Sequence, residues 1–385
     1  MRLDCVVTLV ALAMCARAAF SGALPVPTSP ADGATVAVHT VVQDDFLKRP
    51  MSERRACLED GTYFSGLRPS VAGPWDETSS NAHTANAASA YPKPVTLSWT
   101  GTGPFAVTVR RATDDVAVFS VAGLSANSID VFNLEINRTY RWTVSNADGV
   151  SSSATFTTED VYPRLLWDYD PKGRIFGIRD IGGAVGLDGR RVRQGVIFRA
   201  SELSGCDGSG CSKGASLISD ANRGFWLDEL GVRFELDLRD SNQTGITKSP
   251  LGTGVGYAQI SGSDYGNIFD VFDWQGKISE NSDTNLVKKA LRTVIECVQD
   301  ASKHPLVMHC QLGKDRTGTL AFLLEALLGV SEDDARRDWE ASFFWYHKNR
   351  TNLDAVVNGL ANYTGTTLAE RTCSYVKSIG ITDAE

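Results

Sequence analysis

The sequence is short of positive charge and of histidine, and it has no long apolar run beyond its N-terminus. Its 385 residues carry 38 Lys and Arg against 46 Asp and Glu, a formal net charge of −8, with only five His. A net acidic chain argues against broad nucleic-acid binding, which depends on clustered positive charge. The eight Cys include no C-x-x-C pair and no His cluster accompanies them, so the pattern does not indicate a structural zinc site.

One dense motif stands out against this background. The run H-C-Q-L-G-K-D-R-T-G, called the signature loop below, extends from His309 to Gly318. A short apolar stretch precedes it at 305–308, and an almost wholly apolar segment follows it at 320–328. This order predicts a buried strand, an anion-binding loop and a buried helix. The Walker spacing G-x-x-x-x-G-K-[ST] is missing, which excludes a P-loop NTPase.

The residue types of the signature loop suit phosphate chemistry. A loop that enters a helix N-terminus presents backbone N–H groups and the positive end of the helix dipole to an anion. The same field favours a thiolate at Cys310, which is a nucleophile that needs no dedicated base. Arg316 can hold two phosphoryl oxygens with its planar guanidinium. Gly313 allows a tight turn, Thr317 can donate a hydrogen bond to the sulfur, and His309 can fix the Cys310 backbone.

This stretch resembles the signature loop of the cysteine-dependent phosphatases of the protein tyrosine phosphatase superfamily. The Lys314–Asp315 pair narrows the resemblance to the bacterial tyrosine phosphatase branch with a G-K-D-R-T-G loop. Weaker motifs in the same order, such as F-G-I-R-D-I-G-G at 176–183 and L-G-V-R-F-E-L-D-L-R at 230–239, extend it over roughly residues 165 to 380. The resemblance implies Cys310 as nucleophile and Arg316 as phosphate ligand, with no metal or organic cofactor. It further implies that substrate is bound by His309, Gln311, Leu312, Gly313, Lys314, Thr317 and Gly318.

Hydrolysis also needs an acid to protonate the leaving oxygen. Asp315 is the first candidate, because it lies inside the signature loop and the resembled branch uses this aspartate in that way. The rival candidates, Asp264, Asp270 and Asp273, belong to a second polar and aromatic segment. A purely structural carboxylate that pairs with Arg316 is the alternative for Asp315.

Other charged residues admit more than one role. We expect Lys314 at the rim of the pocket, where it attracts anions in general or contacts a second phosphate on an inositol ring. Arg179, Asp180 and Arg199 either line the pocket or form ion pairs that pin the loop. The aromatic run F-F-W-Y-H at 343–347 is expected in the core, with a substrate wall as the alternative.

The chain divides into three parts. Residues 1–19 have the charged start, apolar core and small-x-small site of a secretory signal, so we expect a secreted, periplasmic or cell-surface protein. Residues 24–160 show short alternating runs, typical of an all-β sandwich that resembles fibronectin type III modules, with a polar, partly helical insertion expected around 43–60. Residues 161–385 alternate strand and helix signals, which predicts a mainly parallel central sheet flanked by helices and a tyrosine phosphatase-like catalytic domain. Cys206 and Cys211 could form a small disulfide after export.

Three functional hypotheses follow. The leading one is a secreted phosphatase that hydrolyses phosphotyrosine through a thiophosphate intermediate, with phosphoserine, phosphothreonine or phosphoinositides as further substrates. The second is an inositol polyphosphate phosphatase of the phytase type. The third is a catalytically silent phosphate-binding or adhesion protein, which the presence of both Cys310 and Arg316 disfavours. The sequence does not indicate an oligomeric state.

Overall fold

The structure is a computed structural model, and it describes six stretches of the chain. These are residues 24–60, 91–170, 173–205, 212–260, 286–345 and 351–385. The expected signal segment and the segment with Cys206 and Cys211 lie outside these stretches. Within them, no helix is both long enough and apolar enough to cross a membrane.

Eight strands between residues 26 and 158 form two sheets. They are β1 (Val26–Ser29), β2 (Ala34–Val36), β3 (Val95–Thr100), β4 (Phe105–Arg111), β5 (Ala117–Leu124), β6 (Ser128–Val131), β7 (Thr139–Ser145) and β8 (Ser151–Thr158). The sheet orders are β1-β3-β6 and β2-β8-β7-β4-β5. Alternate side chains of β3, β4 and β7 are buried between the sheets, where the rings of Trp99 and Trp142 lie 6.3 Å apart. The predicted sandwich is therefore present.

Two short helices interrupt the sandwich between β2 and β3. Helix α1 spans Val41–Leu47 and begins with a capping box in which Thr40 and Gln43 bond each other's backbone N–H groups. Helix α2 spans Met51–Glu59. Phe46 and Arg54 are fully buried although this segment is polar in sequence. The helices confirm the predicted partly helical insertion, and their buried side chains show that they pack against the rest of the protein.

A six-stranded sheet organises the second part of the chain. Its strands are β9 (Arg164–Leu165), β10 (Arg179–Asp180), β11 (Ile197–Ala200), β12 (Phe234–Asp237), β13 (Gly256–Gln259) and β14 (Leu306–His309). The order is β13-β12-β14-β11-β10-β9, in which the first four strands are parallel and the last two antiparallel. The predicted mainly parallel sheet is confirmed.

Two details of the prediction are wrong at the antiparallel edge. The apolar segment 175–178, which the sequence predicts as a short strand, is not one, and residues 161–173, which their prolines predict as a linker, contribute β9. Strands β9 and β10 are paired through two charged residues, which a search for hydrophobic patterns does not detect. Arg164 and Asp180 are partners across β9 and β10, and the Arg164 guanidinium lies 3.1 Å from the Asp180 carboxylate.

Helices cover the sheet. They are α3 (Asp220–Gly224), continued by a π-helical turn (Phe225–Glu229), α4 (Ser241–Thr244), α5 (Leu286–Gln299), α6 (Asp315–Leu327), α7 (Glu332–Ala341), continued by a 3-10 turn (Ser342–Phe344), α8 (Thr351–Leu360) and α9 (Leu368–Ser378). Helix α6 is buried along most of its length. It contacts α5, α7, α8 and α9, so the helix that follows the signature loop is the centre of the helical layer.

Candidate active site

The signature loop lies at the carboxyl edge of the parallel strands. Strand β14 ends at His309 in the middle of the sheet, and α6 begins at Asp315. Ala200 at the end of β11 and Asp237 at the end of β12 both pair with His309. Residues 310–314 therefore emerge between two neighbouring strand ends, where open α/β sheets bind their ligands. The predicted strand–loop–helix order is confirmed.

Cys310 lies in the surroundings of a reactive thiol. Its side chain is buried, and burial raises the pKa of the thiol, but the charge of Arg316 and the side-chain and backbone donors of Thr317 outweigh this effect. The net result is a Cys310 pKa below its ordinary value, although the nearby charge of Asp315 acts in the other direction. A lowered pKa enlarges the thiolate fraction near neutral pH, and the thiolate is the nucleophilic form.

Arg316 is held from the neighbouring strand end. Its Nη1 donates a hydrogen bond to the backbone carbonyl of Leu238 across 3.0 Å, and the Leu238 N–H donates to the His309 carbonyl across 2.8 Å. Arg316 as a whole is only 8% exposed. Fixing the guanidinium in this way reduces the entropy that it would lose on binding a phosphoryl group.

The turn of the signature loop needs a residue without a side chain at Gly313. The backbone there has a φ of +63°, and a Cβ would lie 2.2 Å from the carbonyl oxygen of Ala200. Arg199 donates from Nη2 to the Gly313 carbonyl across 2.8 Å. The loop therefore packs closely against the end of β11 and is hydrogen-bonded to it.

The two arginines of uncertain role form ion pairs that support the loop. Arg179 and Arg199 are fully buried and both bind the carboxylate of Asp338 on α7. Arg179 also donates to the Asp338 carbonyl and to Ser342. Sequence reasoning missed Asp338, because no local pattern distinguishes it from the other acidic residues of α7.

His309 supports the loop from behind. It is fully buried, with Nδ1 3.1 Å from the Cys310 carbonyl and Nε2 2.8 Å from Glu235. Burial lowers the pKa of His309, but the charge of Asp237 and the hydrogen bond and charge of Glu235 raise it overall. The expected contact with the Cys310 backbone is confirmed. Since the side chain is fully buried behind the loop, its predicted contact with substrate stays a prediction.

Three buried groups behind the loop have the donor types of a metal site. The side-chain ligand atoms of Glu235, Asp237 and His309 lie within 4.8 Å of one another. Each already has a protein partner: Glu235 accepts from His309 and Ser249, and both oxygens of Asp237 accept from Arg239. The cluster therefore acts as a hydrogen-bonded support of the strand ends.

Lys314 does not lie at the rim of the pocket, so that expectation is wrong. The residue is fully buried, and its ammonium lies 4.1 Å from the centre of the Phe343 ring and 5.1 Å from that of Trp339. Cation–π attraction and burial of the alkyl chain stabilise this arrangement. Phe343, Phe344 and Trp345 belong to the core, as the aromatic run predicts.

The remaining loop residues lie around Cys310. Asp315 is partly exposed at the first turn of α6, and Gln311 and Leu312 are partly exposed before it. Gly318 faces α7, where a Cβ would lie 2.5 Å from the Trp339 ring. The rival acids Asp264, Asp270 and Asp273 fall outside the described residues.

Two sequence comparisons identify the family of this chain. The sequence model of the tyrosine phosphatase family matches residues 173–379, which is more than half of the chain. A Cupriavidus necator protein described as a tyrosine-protein phosphatase is 26% identical over 216 residues, covering 52% of this chain and 74% of that protein. Among solved structures, the core catalytic domain of the PP-IP phosphatase Siw14 from S. cerevisiae, in complex with citrate, is 18% identical. That comparison covers 46% of this chain and 93% of the other, with a TM-score of 0.24. The chain is a phosphatase and belongs to the tyrosine phosphatase family.

Proposed function

We propose that this protein is a cysteine-dependent phosphatase that hydrolyses phosphotyrosine. The observation that carries the proposal is the pairing of Cys310, whose pKa is lowered, with Arg316 on one loop at a helix N-terminus. The residues supply a nucleophile, a cationic phosphate ligand and backbone donors within one short segment. No metal is needed for either chemical step.

The reaction has two displacement steps at phosphorus. In the first, the Cys310 thiolate forms an S–P bond while the P–O bond to the tyrosine oxygen breaks. In the second, water forms a new P–O bond, the S–P bond breaks, and phosphate leaves with the thiolate restored. Arg316 and the backbone N–H groups of the loop stabilise the charge on the equatorial oxygens in both steps.

Asp315 is proposed as the proton donor of the first step. It is partly exposed at the first turn of α6, next to Arg316, so it can meet the leaving oxygen of a bound ester. After donating its proton, the carboxylate can accept one from the attacking water, which is how one acid serves both steps.

Phosphotyrosine is the preferred substrate in this proposal. The family name and the Cupriavidus necator relative support it. The phosphoinositide alternative relies on Lys314 for a second phosphate, and the burial of this ammonium against Phe343 and Trp339 weakens that argument. Inositol phosphate hydrolysis remains the competing hypothesis, and Siw14 is named as a PP-IP phosphatase.

Export forms a further part of the proposal. The pattern of residues 1–19 supports a secretory signal, and an extracytoplasmic enzyme would act on phosphoesters outside the cytoplasm. Fusing residues 1–30 to a reporter with no signal of its own tests this part. Retention of the reporter inside the cell would contradict it.

The test of substrate class compares a phosphotyrosine peptide, a phosphoserine peptide, a phosphoinositide in vesicles and an inositol polyphosphate. We expect the highest kcat/KM for the phosphotyrosine peptide and no turnover by Cys310→Ser. Lys314→Ala should lower turnover of the tyrosine and inositol substrates by the same factor, because the lysine acts through packing. Turnover confined to the inositol substrates, or their selective loss in Lys314→Ala, would overturn the proposal.

A further inference from the structure

The helical insertion of the sandwich is joined to the catalytic part of the chain by a buried ion pair. Arg54 on α2 is fully buried, and its Nε lies 2.7 Å from the carboxylate of Glu340. Its Nη2 lies 2.8 Å from the carboxylate of Asp333 and 3.0 Å from the Asp333 carbonyl. Asp333 and Glu340 stand two turns apart on α7, so one guanidinium holds both ends of that helix.

Helix α7 is also the helix that supports the signature loop. Asp338 binds Arg199, which donates to the Gly313 carbonyl. Trp339 closes against Gly318 and lies beside the Lys314 ammonium. Asp338, Trp339 and Glu340 are consecutive in sequence. The first two contact the signature loop or the residues that hold it, and the third binds Arg54.

An aromatic contact runs parallel to this ion pair. The ring of Phe46 on α1 meets the ring of Phe344 edge to face, with centres 5.5 Å apart. Phe343, the preceding residue, lies against the Lys314 ammonium at 4.1 Å. The insertion thus contacts the support of the loop through both of its helices.

We propose that Arg54 is a positioning residue of the active site, which acts through α7 on the signature loop. The proposal rests on the proposed phosphatase function and makes the N-terminal domain part of the catalytic unit. A displaced α7 moves Asp338, loosens the Arg199 bond to Gly313, and so shifts Cys310 relative to Arg316 and Thr317. Small displacements of this kind are costly for catalysis, because the reacting atoms must be aligned.

The experiment uses the full chain and two measurements. One is kcat and KM for p-nitrophenyl phosphate. The other is the pKa of Cys310, from the pH dependence of its alkylation by iodoacetamide, with Cys310→Ser giving the background from other cysteines. Both are made well below the unfolding temperature of each variant. Arg141→Gln is the matched control, since it removes the same charge from an exposed pair with Asp115 inside the sandwich.

We expect Arg54→Gln to lower kcat by about tenfold to a hundredfold and to raise the Cys310 pKa, while Arg141→Gln changes neither. If Arg54→Gln does not fold, Arg54→Lys takes its place. Lysine keeps the charge but lacks the planar group that reaches Asp333 and Glu340 together. The decrease in kcat and the rise in the Cys310 pKa should therefore have the same direction and be smaller.

A folded Arg54→Gln protein with wild-type kcat and wild-type thiol pKa would overturn the proposal and leave Arg54 as a stabilising contact only. Arg54→Lys leads to the same conclusion if it alone folds and matches wild type in both measurements. Failure of the phosphatase function is distinguishable from failure of the positioning role. An inactive wild type contradicts the phosphatase function, whereas the alkylation measurement still tests the positioning of Cys310.

Discussion

The Arg199 guanidinium donates to the Gly313 carbonyl across 2.8 Å and so fastens the signature loop to the end of strand β11. Nη1 of the same guanidinium binds Asp338 on α7. Arg199 thus fixes the turn of the loop between Cys310, the proposed nucleophile, and Arg316, the proposed phosphate ligand. The tight turn at Gly313 and the shared carboxylate at Asp338 are the two points at which this arrangement can be tested.

Asp338→Asn should destabilise the protein and disturb the thiol. The substitution removes the carboxylate charge that the buried Arg179 and Arg199 share, and breaking a buried ion pair costs about 3–5 kcal/mol. We expect a lower free energy of unfolding in urea and a raised Cys310 pKa by alkylation. Glu332→Gln on the same helix is the control, because its pair with Arg336 is partly exposed and worth about 1 kcal/mol or less. Equal effects of the two substitutions would contradict the assigned role of Asp338.

Gly313→Ala should abolish most activity. A Cβ at this position would lie 2.2 Å from the Ala200 carbonyl oxygen, so the loop must move. The matched control is Gly189→Ala, where φ is +78° but no atom lies within 4 Å of a Cβ. The control carries only the backbone strain of about 1–2 kcal/mol and should keep wild-type turnover. Comparable kcat values for both variants would show that the close approach to Ala200 is unimportant.

The loss of turnover in Asp315→Asn should depend on the leaving group of the phosphate ester. An acidic phenol such as p-nitrophenol departs without protonation, whereas an alkyl oxygen does not. The expected loss of turnover is therefore about 10²–10⁴-fold with an alkyl phosphate and much smaller with p-nitrophenyl phosphate. If both esters are slowed by the same factor, Asp315 is not the acid, and Asp264, Asp270 and Asp273 become the candidates.

Glu325→Gln should remove a pH dependence of stability. Burial, together with the nearby charge of Asp338, holds the pKa of Glu325 well above its ordinary value of 4.5, and Tyr162 donates to its Oε1 across 2.6 Å. The raised pKa gives stability that is complete below about pH 4.5 and is lost as the pH rises through the folded-state pKa. Glutamine keeps a neutral acceptor and does not ionise.

The measurement is the unfolding temperature of both proteins against pH. Wild type should lose stability relative to Glu325→Gln as the pH rises, and the two should differ little in acid. Glu296→Gln, on the exposed face of α5, should follow wild type throughout. A pH-independent gap between wild type and Glu325→Gln would mean that Glu325 does not change its protonation in this range.

The fold class and the strand–loop–helix placement of the signature loop could be predicted from the sequence, because they depend on local patterns. Alternation of apolar residues located β3, β4 and β7, and the signature loop holds its proposed nucleophile, its cation and its glycine within ten residues. Charged partners far apart in sequence could not be found in this way. Arg164 and Asp180 define an edge of the sheet, and Asp338 joins two arginines more than a hundred residues away, so both relationships appear only in three dimensions.

The burial of Lys314 is another feature that a local sequence pattern could not predict. A lysine next to a catalytic arginine suggests an exposed anion contact, since lysine is usually solvated. Its burial depends on Trp339 and Phe343, which reach it only after α7 folds back over the loop. The aromatic run at 343–347 predicted Phe343 in the core, but it could not tell which polar group this ring covers.

The most direct test of the central claim is hydrolysis of p-nitrophenyl phosphate by the reduced full-length protein in the presence of a chelator, for wild type and Cys310→Ser. We predict activity in wild type that the chelator does not change and that the substitution abolishes. Activity that survives in Cys310→Ser, or a folded wild type with none, would contradict a phosphatase whose nucleophile is Cys310.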